Sequence, residues 1–394
     1  MWIKLEVLAD QLKVSWGHGT GDFSDPYFIG PKSLETVAAK LRDELKRMAV
    51  WARSSDPAQR WAGLTALAKA GSDVRYELFN DRQNRERIRD VETWIADVYQ
   101  GGVRDLAIQA DSSVHVPWGV IFDGAIPREY APPSNALDAS EVVKNEMAAF
   151  GGFWALKYRL SATPSGDRRP PSRMTRPRKT FGLLSLVNKD IQTQIEADLG
   201  ESKYREFCEL LSPPVGIAYN LDTCQDMIDK SQQVDILFHF LGHHDKDLLD
   251  LGSGGKVDYT DFSRLLDSLT EREYVRGAQP CGLLFVNGCE SAVGDEDFTL
   301  RSETKRPALS GIIATESVVR RTYAAEFGLR FLKAMVLGGE TVANTMDQLH
   351  HDPALWPESL LYGCYARPEY CIEKPAAPAG VPSAAASADA VAAS

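Results

Sequence analysis

Apolar residues recur every three or four positions in two segments of the first hundred residues. In residues 33–52 (SLETVAAKLRDELKRMAVWA) and 87–99 (RIRDVETWIADVY), the apolar side chains fall on one face of a 3.6-residue period. This spacing predicts two amphipathic helices, each of which buries one side. Residues 1–75 otherwise suggest no assignable function.

Shorter, continuously apolar runs follow, and each is typical of a buried strand. They are LAIQA (106–110), VPWGVIF (116–122), FGLLSLV (181–187), VGIAY (215–219), VDILFHF (234–240), CGLLFVN (281–287) and SGIIAT (310–315). Beyond residue 180 these runs alternate with helical patterns such as 260–269 and 323–336. The alternation predicts an α/β fold, with a mostly parallel sheet flanked by helices on both faces.

Two segments show neither the helical spacing of apolar residues nor a continuous apolar run, and they divide the chain. Residues 163–179 hold four prolines and six basic residues, which is typical of an exposed linker. Residues 374–394 are almost uncharged and rich in Ala, Pro and Ser, which predicts a disordered tail. We therefore expect an N-terminal half over 1–162, the linker, and a second unit over 180–373.

Charge and composition narrow the function further. The 394-residue chain has a formal net charge of −11 and a pI near 5.3, which argues against nucleic acid or an anionic membrane as a direct partner. No run of eighteen apolar residues occurs and no signal-peptide layout opens the chain, so we expect a cytoplasmic protein. The six cysteines form no C-x-x-C pair, which favours free thiols.

The segment VDILFHFLGHHDKD (234–247) carries three of the seven histidines, His239, His243 and His244. The strand runs at 234–240 and 281–287, with the helical pattern between them, form a predicted strand–helix–strand unit whose strands are parallel and close. Gly242-His243 follows the first strand and Gly288-Cys289 follows the second. Because ligands bind at the carboxyl edge of such sheets, this places a Cys and a His where a nucleophile pair would need them.

Other interpretations of these residues stay open. A cysteine in such a context is more often a small buried hydrophobe than a nucleophile. His239 and His243 have the spacing of H-E-x-x-H, but no Glu follows the first His and the segment is predicted to be a strand, so a zinc hydrolase is a weaker alternative. We expect His239 to point inward beneath the site.

Four segments resemble the CHAT domain, a family of caspase-like cysteine peptidases in the caspase/separase clan. DILFHFLGHH (235–244) resembles the family's strand that ends in Gly-His-Gly, and GLLFVNGCESA (282–292) resembles its apolar strand that ends in Cys. VHVPWGVIFDG (114–124) and residues 311–349 are similar to two further family segments, the first through Pro117, Trp118 and Asp123. The likeness spans roughly residues 75–368, and it implies a caspase-like fold.

The resemblance assigns a role to each residue of the pair. It implies that His243 is the general base, Cys289 the nucleophile and backbone N–H groups the oxyanion donors, with no metal or organic cofactor. The sequence departs from the family at His244, where a glycine normally follows the His, and at Gly119, where a Glu follows the Trp. The first departure leaves a catalytically silent CHAT module, acting as an adaptor or scaffold, as the main alternative to a peptidase.

Clan members often bind the residue before the cut with an acidic pocket. We expect Asp235, Glu290 and Glu316, with His244, to be the substrate-binding candidates, although each carboxylate could instead be a solvated or capping group. The long charged loop 290–307 is expected to order on activation. The resemblance implies a protein substrate and an activating protein partner in a bacterial defence system, such as a CRISPR-associated one.

Overall fold

The computed structural model describes residues 1–19, 21–22, 25–80, 85–111, 113–127, 138–164, 181–211, 216–230, 235–245, 248–275, 282–289 and 309–372. Three of the segments discussed above therefore lie outside the described residues: the linker beyond residue 164, the loop 290–307, and the tail 374–394.

The first 164 residues build one sheet and its helices. In chain order the elements are β1 (Trp2–Leu8), β2 (Gln11–His18), β3 (Gly21–Asp22), β4 (Tyr27–Ile29), α1 (Pro31–Trp51), α2 (Pro57–Leu78), α3 (Arg85–Gln100), β5 (Asp105–Ala110), α4 (Ala139–Ala149), α5 (Trp154–Lys157) and β6 (Arg159–Pro164). The strand order is β3-β2-β1-β5-β6, with β4 also paired to β2. The β1-β5 and β5-β6 pairs are parallel, whereas the pairs made by β2 are antiparallel.

Residues 181–366 build a second, mostly parallel sheet. Its elements are β7 (Phe181–Val187), α6 (Lys189–Leu199), α7 (Glu201–Leu211), β8 (Gly216–Ala218), α8 (Leu221–Lys230), β9 (Asp235–Leu241), α9 (Tyr259–Val275), β13 (Gly282–Asn287), β14 (Leu309–Thr315), α10 (Arg321–Leu332), α11 (Val342–His350) and β15 (Tyr362–Ala366). Three short antiparallel strands, β10 (His243–Asp245), β11 (Leu248–Asp250) and β12 (Lys256–Asp258), interrupt the β9–α9 connection. The strand order is β15-β14-β13-β9-β7-β8, and only β15 runs antiparallel.

Helices cover both faces of the second sheet, because neighbouring side chains of β9 meet helices on opposite sides. Phe238 contacts Phe262 of α9, whereas the next residue, His239, contacts Phe207 of α7. Successive strand residues point to opposite faces. The predicted α/β class, with a mostly parallel sheet between helices, is confirmed.

The expected strand at 116–122 is wrong. Its apolar residues are buried, but Trp118–Val120 form a 3-10 turn, and only Phe122 makes a β-bridge, to Phe153. Pro117 supplies no backbone N–H for a strand ladder, which favours a turn at this point.

The two sheets lie side by side. Strand β6 of the first contacts β15 of the second, and the rings of Phe153 and Trp356 lie 6.4 Å apart across the junction. Arg104 adds an ion pair with Asp347 at 2.9 Å. Among the described residues, no helix is long and apolar enough to cross a membrane.

Candidate active site

The candidate site lies at the carboxyl edge of the second sheet, beside the point where its strand order reverses. From β7 the chain passes first outward to β8 and then back across to β9. In open α/β sheets, the crevice beside such a reversal is where ligands bind. Strands β9 and β13 are adjacent, and their last paired residues are Leu241 and Asn287.

The backbone register brings the two predicted catalytic positions to the same level. Cys289 lies two residues beyond Asn287, and His243 lies two residues beyond its partner Leu241. Neighbouring parallel strands lie ~5 Å apart. Beyond Leu241 the backbone of β10 pairs with that of β11, so that His243 lies opposite Asp250 and His244 opposite Leu249.

Gly242 is required between β9 and β10 because no space remains for a side chain. A Cβ at this position would come within 2.5 Å of the Phe240 ring and 2.9 Å of the Asp250 carbonyl oxygen. The Asp250 carbonyl is itself held by the Asn188 amide, whose nitrogen donates to it at 3.1 Å. Asn188 follows β7, so the ends of β7 and β9 jointly fix the backbone that carries His243.

Cys289 occupies a turn after β13 and is half-buried. Its thiol lies 3.6 Å from the carbonyl oxygen of Val319, to which it can donate. The carbonyl of Gly288, one residue earlier, accepts a hydrogen bond from the Thr315 hydroxyl of β14. Because the C=O and N–H of a trans peptide point in opposite directions, this bond turns the Cys289 N–H away from Thr315. The backbone N–H is thereby fixed in orientation.

Buried Asn287 anchors the end of β13 from below. Its amide nitrogen donates to the Ala324 carbonyl at 2.7 Å, and its amide oxygen accepts from the Tyr362 hydroxyl at 2.6 Å. Burial, followed by the nearby Cys289 and Glu358, raises the pKa of Tyr362 well above its ordinary value. The hydroxyl therefore stays protonated and remains a donor. Sequence analysis missed this clamp, because no local pattern relates Tyr362 of β15 to Asn287 of β13.

His239 is a core residue beneath this edge, as expected. It is fully buried, and its ring stacks on Phe285 at 5.2 Å and meets Phe207 edge to face. Burial lowers its pKa to about 3, so the ring is neutral near pH 7. Neither ring nitrogen has a hydrogen-bond partner among the described residues.

The two acidic candidates that the structure describes, Asp235 and Glu316, are not brought together. Asp235 begins β9, six residues before Leu241, so it lies roughly 20 Å away at the opposite edge of the sheet. Asp235 therefore does not lie beside Cys289, where we expected it to contribute to a substrate pocket. Glu290 lies outside the described residues.

Glu316 follows β14 but points into the protein. It is 5% exposed and accepts a hydrogen bond from the Tyr365 hydroxyl. With Trp118 and His350 it lines a cavity of about 20 Å³ between the two sheets, which has room for about one water molecule. This position beneath the surface gives Glu316 a structural environment rather than an open pocket.

An ion-pair group that sequence analysis missed connects the first 164 residues to this edge. Buried Glu358 accepts from Arg320 at 2.5 Å and from Arg53 at 2.7 Å. Arg320 follows Val319, the residue whose carbonyl faces the Cys289 thiol. Arg53 follows α1, so the N-terminal half is connected through Glu358 to Arg320 and the segment behind Cys289.

The cysteines and the possible metal ligands of the described residues bear on the chemistry of the site. Among the described residues, Cys208, Cys224, Cys289, Cys364 and Cys371 form no disulfide bond, and burial raises the pKa of Cys224 and of Cys364 to about 12. In the described ranges, no group of three or more His, Cys, Asp and Glu side chains is arranged to hold a metal ion.

No protein-family model matches the sequence, and no curated protein matches it significantly.

Proposed function

We propose that the chain is a caspase-like cysteine endopeptidase in which Cys289 is the nucleophile and His243 the general base. The observation that carries the proposal is the register of β9 and β13, in which Gly-His and Gly-Cys follow a paired Leu241 and Asn287 at the same offset. The resemblance to CHAT peptidases adds the assignment of roles. The position of Cys289, half-buried at a ligand-binding edge, suits a reactive thiol better than a core one.

The proposed chemistry is acyl transfer in two steps. His243 takes the thiol proton, and the Cys289 sulfur attacks the peptide carbonyl to form a tetrahedral intermediate. Collapse of this intermediate releases the amine, which takes the proton back from His243, and leaves a thioester. Water, deprotonated by the same imidazole, then hydrolyses the thioester and regenerates the thiol.

The fixed Cys289 N–H is the proposed oxyanion donor. Thr315 holds the preceding carbonyl, and Asn287 holds the strand, so the N–H needs little reorganisation when charge develops on the substrate oxygen. Preorganised donors of this kind contribute about 3–4 kcal/mol each to transition-state stabilisation. This support does not depend on which residue lies beside His243.

The substrate is proposed to be a protein, and a second protein is proposed to switch the enzyme on, within a bacterial defence system in the cytoplasm. The acidic chain disfavours nucleic acid as a direct ligand. The contact from Arg53 to Glu358 offers a route for such control, since a partner bound to the first 164 residues could displace the segment behind Cys289.

A catalytically silent adaptor is the second candidate, and one observation favours it. The Cys289 thiol faces the Val319 carbonyl, an acceptor that stabilises the protonated sulfur. His244 in place of the family's glycine points the same way. An adaptor of this kind would bind its partner without cutting it.

A peptidase creates new N-termini in the proteins of the cell, whereas an adaptor does not. The chain is expressed in bacterial cells together with its genomic neighbours, and new protein N-termini are identified by mass spectrometry. A peptidase yields N-termini that vanish in both Cys289→Ser and His243→Ala and persist in the matched controls Cys208→Ser and His18→Ala. The same N-termini in every variant, or none in any, would contradict the peptidase and support the adaptor.

A further inference from the structure

A pocket of about 260 Å³ lies in the N-terminal part of the molecule, and the described residues that line it come from positions 1–158. Its floor is aromatic: Trp16 of β2, Phe79 after α2, Trp154 of α5 and Tyr158 are all at most 8% exposed. His243, Cys289 and the side chains that hold their backbone, Asn188, Asn287, Thr315 and Tyr362, all come from 188 onward, so this pocket is a separate feature.

The rim of the pocket carries charges of both signs. Arg75 bonds Glu92 at 2.7 Å and Asp123 at 3.1 Å, and Lys157 bonds Asp123 at 2.5 Å. All four side chains are between 20% and 36% exposed, so they lie where the pocket meets solvent. Cations and carboxylates therefore both lie at the mouth of the pocket.

The same two cations lie over aromatic rings of the floor. The Arg75 guanidinium lies 5.0 Å from the centre of the Phe79 ring, and the Lys157 ammonium lies 5.4 Å from that of Tyr158. Charged groups and aromatic rings therefore lie side by side in this pocket.

We infer that this pocket binds a small aromatic zwitterion, of which a free aromatic amino acid is the simplest example. The flat apolar floor takes a ring, since aromatic groups stack on one another and gain more than area burial alone. Arg75 and Lys157 offer donors to a carboxylate, and Glu92 accepts from an ammonium group. A zwitterion can pair with the cations and with the carboxylates of the rim, whereas a ligand of a single charge can pair with only one of the two.

The first test is calorimetric titration of the full-length chain with L-tryptophan, L-tyrosine and L-phenylalanine. At least one is expected to bind with 1:1 stoichiometry. Removing one charge, as in tryptamine or indole-3-propionate, is expected to weaken binding about tenfold or more, because a charged hydrogen bond is lost. L-leucine, which lacks the ring, is expected to bind at least as weakly.

The second test locates the site. Glu92→Gln keeps the side-chain shape, and it is expected to weaken binding of the amino acid about tenfold. The matched control is Glu86→Gln, an exposed residue on the same helix, which should bind like wild type. Absence of binding by all three aromatic amino acids overturns the inference, as does equal binding by Glu92→Gln. Tighter binding of adenosine at this pocket also overturns it, because a neutral heterocycle would then be the ligand.

Discussion

Replacing Tyr362 by Phe removes one buried hydroxyl from beneath the candidate nucleophile. In the wild type this hydroxyl donates to the Asn287 amide oxygen at 2.6 Å. The Tyr362 ring stacks on Phe327 with centroids 3.6 Å apart, and a phenylalanine ring can keep that contact. The substitution therefore tests the hydrogen bond and not the packing.

The expected cost follows from leaving one buried acceptor unpaired. Such a group costs about 1–3 kcal/mol, because it gives up water without gaining a partner. For a folding unit of 150–250 residues, each kcal/mol lowers Tm by roughly 2–4 °C. The second sheet and its helices are of that size, so we expect Tm to fall by several degrees.

The local consequence is measured separately. Asn287 would still donate to Ala324 but lose its second anchor, so hydrogen exchange of the amides at 286–289 is expected to become faster. Tyr323→Phe is the matched control: it removes a buried tyrosine hydroxyl that donates to the Leu355 carbonyl at 3.0 Å. It should lower Tm by a similar amount and leave exchange at 286–289 unchanged. Unchanged Tm and exchange in Tyr362→Phe would refute the clamp.

Three further predictions concern the backbone turn, the oxyanion donor and the response to acid. Gly242→Ala should lower Tm and displace His243, since its Cβ would lie 2.5 Å from the Phe240 ring. Thermal denaturation measures the loss of stability, and the cleavage rate measures the displacement of His243. Thr315→Val frees the Gly288 carbonyl and should slow cleavage about tenfold or more at similar substrate affinity, measured as kcat against KM. Stability should fall as pH drops below about 6.5, because burial lowers the pKa of His239 to about 3 and that of His350 to about 4. In that window the unfolded chain binds protons that the folded chain does not, at up to roughly 1.4 kcal/mol per pH unit for each histidine.

Each of these has a control in the same chain. Gly30→Ala should cost no more than about 1 kcal/mol, because its Cβ would meet nothing closer than 3.9 Å and only the N-cap preference of α1 is affected; equal losses in both glycine variants would contradict the steric argument. Thr345→Val removes a buried hydroxyl in α11. If it slows cleavage as much as Thr315→Val does, the proposed role of Thr315 is contradicted. His239→Leu should flatten the acid dependence, and an unchanged slope would show that His239 does not contribute.

The strand and helix pattern of the second unit was predictable because its strands are buried on both faces. Five continuous apolar runs between 181 and 315 correspond to β7, β8, β9, β13 and β14. The first sheet was harder. β1 and β2 alternate, with Ile3 and Leu5 buried beside partly exposed Lys4 and Glu6, and charged residues masked the period of two. The 116–122 run misled because apolar residues can be buried in a turn as well as in a strand.

The candidate site was predictable only where neighbouring strands come from nearby sequence. His243 and Cys289 follow adjacent strands of one strand–helix–strand unit, so topology alone relates them. Tyr362 and Arg53 reach the same edge from distant elements, and no local pattern predicts such contacts. Thr315 ends the neighbouring strand β14, but its bond to the Gly288 carbonyl depends on side-chain geometry that a sequence pattern does not give. Asp235 was expected at the start of its strand, and it lies there; the length of β9 is what separates it from the carboxyl edge that carries Cys289.

The most direct measurement is the rate at which each cysteine reacts with iodoacetamide near neutral pH, followed by mass spectrometry of wild type and His243→Ala. Cys208 is half-buried like Cys289 and serves as the internal reference, while Cys224 and Cys364 should label least. The account predicts that Cys289 labels fastest in the wild type and loses that advantage in His243→Ala. Labelling of Cys289 no faster than Cys208, unchanged by the His243 substitution and by co-expressed neighbouring proteins, would contradict the proposed catalytic pair.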